Sequence, residues 1–145
     1  NAAMRLATVV QDLAACTALR SLAVLFEDAS NFHGNGKAVQ EGAARCAAAL
    51  ASLTSLHELV YEWQDAEHEA PPQALQQLTA ITQLRWGNES VSTLSPRDVR
   101  HLPTSLVRLE LPGMQLTPSL WNKALVRLPH LVGLTVNYVS VIADE

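Results

Sequence analysis

Of the five histidines in the chain only His68 has dense acidic company, in the run "QDAEHEAPP". Asp65, Glu67, His68 and Glu69 could gather a divalent cation if the loop curled, because hard cations ask for several converging oxygens. Nothing in the spacing enforces that convergence, and the run reads as a solvated acidic loop. "GNGK", residues 34 to 37, shares its glycines and lysine with a phosphate loop. That motif needs a further glycine five residues before the second one and a hydroxyl residue after the lysine. Asn31 and Ala38 stand at those places. His57 and Glu58 are adjacent, and neighbours along a strand point to opposite faces, so they make no catalytic pair. Neither G-x-S-x-G nor H-E-x-x-H occurs. No catalytic residue, metal ligand or cofactor is therefore assigned, and the expectation is a chain that is not an enzyme. A hydrolase with its site at a loop edge is the remotest alternative.

Composition narrows the field further. The 145 residues are 48% apolar and 17% charged, the balance of a folded domain large enough to hold a core without a disulfide or metal. A net charge of −4 gives no general attraction to nucleic acid or to anionic lipid. Residues 1 to 75 carry four basic and nine acidic side chains, and residues 76 to 145 carry six and five, so the first half is the acidic one. The two cysteines, Cys16 and Cys46, lack metal-ligand spacing and the density of a secreted scaffold, which favours a reducing intracellular compartment, cytoplasmic or organellar. No apolar run has the length of a membrane span, so direct membrane insertion is not expected. The tripeptide Asn88-Glu89-Ser90 would matter only in a secreted chain. Because the chain opens on Asn1, it reads as processed, trimmed or a fragment, and a targeting segment could already have been removed.

The elements that would position any site are legible in a repeated pattern. In "LPTSLVRLELPGMQL", residues 102 to 116, the leucines change step partway, as neither a helix nor a plain strand would ask. The pattern L-x-x-L-x-φ, with φ a large apolar residue, occurs five times. It is carried by Leu19, Leu22 and Val24; by Leu56, Leu59 and Tyr61; by Ile81, Leu84 and Trp86; by Leu106, Leu109 and Leu111; and by Leu131, Leu134 and Val136. The starts lie 37, 25, 25 and 25 residues apart. An apolar residue precedes each start, at Cys16, Leu53, Leu78, Leu102 and Leu128. Cys16 and Cys46 accordingly read as small buried hydrophobes.

Between these motifs lie segments of helical character. "KAVQEGAARCAAALASL" places Val39, Ala43, Cys46, Leu50 and Leu53 on one face. "PPQALQQL", "SPRDVRHL" and "TPSLWNKALVRL" each carry proline at or near a helix start, with Ser95 and Thr117 as N-caps. The longer first spacing puts an insertion into "EDASNFHGNGK", a loop over residues 27 to 36.

From about residue 4 to 142 the chain resembles the leucine-rich repeat family. The resemblance implies an α/β solenoid of about five repeats, with a curved parallel sheet on the concave side and helices on the convex side. Residues 1 to 145 would form a single repeat domain, part of a longer array or docked against a neighbour, since no helix pattern closes the coil after Val136. The family's asparagine three residues after φ is absent, replaced by Glu27, Gln64, Glu89, Met114 and Val139, which predicts irregular turns. In that frame the side chains between the leucines form outward columns: Ser21, Glu58, Gln83, Arg108, Gly133; then Ala23, Val60, Arg85, Glu110, Thr135; then Leu25, Glu62, Gly87, Pro112, Asn137. Phe26 and Trp63 follow near the rim. A lateral Arg85–Glu110 ion pair is expected on strand spacing alone. The resemblance implies protein partners within a larger complex, with Glu58, Glu62, Trp63, Arg85, Arg108 and Glu110 as the binding surface. Its alternative is a structural piece of a longer repeat protein, such as a ubiquitin-ligase substrate-recognition subunit.

Overall fold

A computed structural model describes residues 12–13, 15–25, 45, 48–62, 72–87, 92–93, 100–115, 122 and 125–138. Among these residues six strands follow in chain order: β1 (Ser21–Leu25), β2 (Glu58–Glu62), β3 (Gln83–Gly87), β4 (Ser92–Thr93), β5 (Arg108–Gln115) and β6 (Gly133–Tyr138). Every pairing is parallel, and the strands lie side by side in the order β1, β2, β3, β5, β6, with β4 against the far half of β5. Among the described residues two short 3-10 helices, Pro72–Gln77 and Leu125–Arg127, stand between strands, and the arrangement is α/β with a parallel sheet.

The pairing register reproduces the sequence spacing. Leu22 lies beside Leu59, Leu59 beside Leu84, Leu84 beside Leu109 and Leu109 beside Leu134. Alternation then sends these residues and φ to one face. Leu59, Tyr61, Leu84, Trp86, Leu109 and Leu111 are buried there together with Leu56, Ile81 and Leu106 from the approaches to the strands. Tyr61 and Trp86 stack with ring centroids 5.1 Å apart and planes 23° from parallel, a pair worth about 1 kcal/mol beyond its area burial. Leu19, Leu22, Leu131, Leu134 and Val136, on the outer strands, are only partly buried.

Strands β2, β3, β5 and β6 are each entered by the same pair of backbone contacts. Arg20 O accepts from the N–H of both His57 and Glu58, and His57 O from Thr82 and Gln83. Thr82 O accepts from Val107 and Arg108, and Val107 O from Val132 and Gly133. Just upstream, tight turns close through Leu56 N to Leu53 O, Ile81 N to Leu78 O, Leu106 N to Pro103 O and Leu131 N to Leu128 O. These turns bring Leu53, Leu78, Leu102 and Leu128 into the core.

Two differences from the sequence expectations have physical causes. Cys16 is exposed rather than buried. The short thiol does not reach the core as leucine does at the equivalent positions. The stretch expected to be a helix at "PPQALQQL" is a 3-10 helix over Pro72–Gln77, and Leu125–Arg127 is another within the last such stretch. A 3-10 helix rises about 2.0 Å per residue against about 1.5 Å for an α-helix, so it covers the return between strands with fewer residues. Irregular turns are expected where the asparagine is missing, and within β5, around Met114, the register to β6 shifts between Leu111 and Gln115. Pro112 has no N–H to continue the ladder, and pairing of β3 to β5 stops at Glu110. Gly113 follows in the left-handed region, at φ 68°. Met114, one of the positions lacking the expected asparagine, is thereby drawn into a pairing with Ser92. The loop over residues 27 to 36, Cys46, and the helix caps Ser95 and Thr117 lie outside the described residues.

Gly87 ends β3 at φ 154°, and a Cβ there would sit 2.5 Å from the carbonyl oxygen of Pro112. Gly87→Ala is therefore expected to lower stability by about 1–3 kcal/mol in denaturant titration, the range for a strained backbone site. Unchanged stability would contradict the close approach of β3 and β5. In a Cys46→Ser variant, Cys16 should react with a maleimide in the native state as quickly as in denaturant.

Candidate protein-binding face

The face opposite the leucines carries the outward columns in register. Ser21 pairs with Glu58, Glu58 with Gln83, Gln83 with Arg108 and Arg108 with Gly133. Ala23, Val60, Arg85, Glu110 and Thr135 align likewise in the second column. The first column is the more open one, since Ser21, Glu58, Gln83 and Arg108 are exposed while Val60, Arg85 and Glu110 are half-buried. Leu25, at the end of β1, is 62% exposed beside Glu62.

Three of the six residues picked out from sequence meet. The Arg85 guanidinium donates from Nη1 to Glu110 Oε2 at 2.8 Å and from Nε to Glu62 Oε1. The Glu110 contact is the expected lateral one. Glu62 was not foreseen as a partner, because its register neighbour is Gly87 and it reaches Arg85 on the diagonal. Diagonal neighbours are within range of long side chains, and a glycine opposite leaves the carboxylate free to lean across. Its hydrogen bonds to Glu62 and then to Glu110 raise the Arg85 pKa above its ordinary value, so this cation stays charged at any physiological pH.

Glu58 and Arg108 stand apart from that triad. Glu58 Oε2 accepts a hydrogen bond from Ser21 Oγ at 3.1 Å. Arg108 makes no ion pair among the described residues, and its stem passes over Gly133, with Cγ 3.5 Å from where a Cβ would be. Trp63 and Phe26 lie outside the described residues, as do Asp65, Glu67, His68 and Glu69. Among the described residues, no three His, Cys, Asp or Glu side chains converge as metal ligands would.

At the entry to the strands, His57 Nδ1 donates to Ser55 O at 2.8 Å. That fixes the tautomer and leaves Nε2 to accept from Arg20 Nη1 at 3.2 Å. The imidazole thus braces β1 against β2 rather than activating Glu58. Among the described residues no helix is long and apolar enough to cross a membrane.

Because Arg85 and Glu110 are each more than 40% exposed, water screens their attraction. A double-mutant cycle of Arg85→Met and Glu110→Gln, followed by denaturant unfolding, should return a coupling below about 1 kcal/mol that shrinks in 1 M salt. A coupling of several kcal/mol would contradict the exposed geometry. Compared with known proteins, the chain matches no protein family, no curated protein and no solved structure.

Proposed function

We propose that the chain is a leucine-rich repeat solenoid that serves as a non-enzymatic protein-interaction module or assembly subunit, binding through the outward face of its parallel sheet. The observation that carries this reading is the register itself. Five parallel strands bring side chains from positions far apart in sequence into straight rows, so one partner can touch every coil at once. The five repeated motifs, each with its leucines inward and its turn closed in the same way, support the leucine-rich assignment. Exposed polar and charged side chains on that face, with Leu25 uncovered at one edge, suit a contact that forms between folded proteins.

The test uses the chain as bait in a native pull-down, with mass identification of the bound proteins. The recovered partner is then titrated against variants by calorimetry. Ala23→Trp and Gln83→Trp place bulk on exposed outward positions without touching the core, and each should weaken binding by more than about 1 kcal/mol while the melting temperature stays within a few degrees. Arg100→Glu and Arg127→Glu, at exposed positions between the strands, should leave binding unchanged. The opposite pattern would move the working surface to the other side of the sheet.

A further inference from the structure

Not all the charges on the outward face are available to a ligand. Arg85 already pairs with Glu62 and Glu110, so the charges of these three largely offset one another. Glu58 and Arg108 are exposed and without an opposite charge among the described residues. They lie in the same column, one strand apart on either side of the exposed Gln83. Two strand spacings separate them, about 9.6 Å. An anion and a cation at that distance on one open row call for the mirror arrangement in whatever docks there.

Resting on the proposed binding role of this face, we infer that the Glu58–Gln83–Arg108 row binds a proline-rich peptide segment in polyproline II conformation, carrying a basic and an acidic residue three positions apart. Polyproline II has three residues per turn and rises about 3.1 Å per residue, so side chains three apart share a face about 9.3 Å from each other. That matches the separation of Glu58 and Arg108. A β-strand fails the match, because residues three apart in it face opposite sides. Polyproline II also leaves its backbone carbonyls unpaired, and the Gln83 amide sits between the two charges to donate to one. In the neighbouring column Val60, on the strand of Glu58, offers an apolar contact for a proline ring at one end of the row. The small Ala23 lies beyond it on β1, and the paired Arg85 and Glu110 stand beside Gln83 and Arg108.

The experiment selects a proline-rich twelve-residue peptide library against the whole chain and measures the enriched peptides by fluorescence anisotropy. The expected winners carry Lys or Arg three residues from Asp or Glu. Their affinity should fall about tenfold or more with Glu58→Lys or Arg108→Glu, as for loss of a close charge pair. A peptide with its two charges exchanged should recover binding to the Glu58→Lys/Arg108→Glu double variant. Circular dichroism and melting of each variant show that the fold is intact, since both positions are exposed. Peptides that lose binding on Ala23→Trp yet ignore both charge reversals would overturn the paired-charge inference and leave the binding face standing. Peptides indifferent to every outward substitution would overturn both. A library yielding no binder tighter than about 1 mM would also overturn the inference.

Discussion

One backbone contact underlies the rest of the structure: a carbonyl at the entry to β1, β2, β3 and β5 that receives two consecutive N–H groups from the strand beside it. Arg20, His57, Thr82 and Val107 occupy this position. Each such contact sets the following strand parallel and in register, and a shift of one residue would turn every leucine outward. The inward leucines hold the contact in turn, since burying Leu59, Leu84 and Leu109 is possible only in that register. Hydrogen bonding and burial therefore select the same alignment. Their agreement over four successive strand pairs tolerates side chains as different as arginine, histidine, threonine and valine at the entry position.

Irregularity enters where a residue cannot obey that contact pattern. Pro112 interrupts the β5 ladder, Gly113 turns the chain through a left-handed conformation, and Gly87 allows the Pro112 carbonyl to approach. The same glycine leaves Glu62 without a side chain opposite, and its carboxylate crosses to Arg85. A backbone accommodation thus decides an electrostatic arrangement on the outward face. It also leaves Arg85 paired with two carboxylates on that face, whereas Arg108 makes no ion pair among the described residues.

The strand positions and columns were legible in the sequence because inward leucines at L-x-x-L-x-φ leave only one alternation of faces, and the spacing of 25 residues fixes which residues become neighbours. The Arg85–Glu110 contact follows from that alone. The Glu62 contact was not legible, because diagonal reach depends on the absence of a side chain at Gly87, which column alignment does not weigh. Cys16 was misjudged because alignment with Leu53, Leu78 and Leu128 treats the positions as equivalent, whereas a thiol is too short to fill the place that leucine fills. Helices were overestimated at Pro72–Gln77 for a similar reason, as periodicity cannot tell a 3-10 turn from an α-helix over so few residues.

The most direct test of the account is solution NMR detection of scalar couplings across hydrogen bonds. The parallel, in-register sheet predicts correlations from the amides of Thr82 and Gln83 to the His57 carbonyl, and from those of Val107 and Arg108 to the Thr82 carbonyl. Correlations from these amides to carbonyls one residue displaced, or to a strand running antiparallel, would contradict the register and with it the outward face on which the functional reading rests.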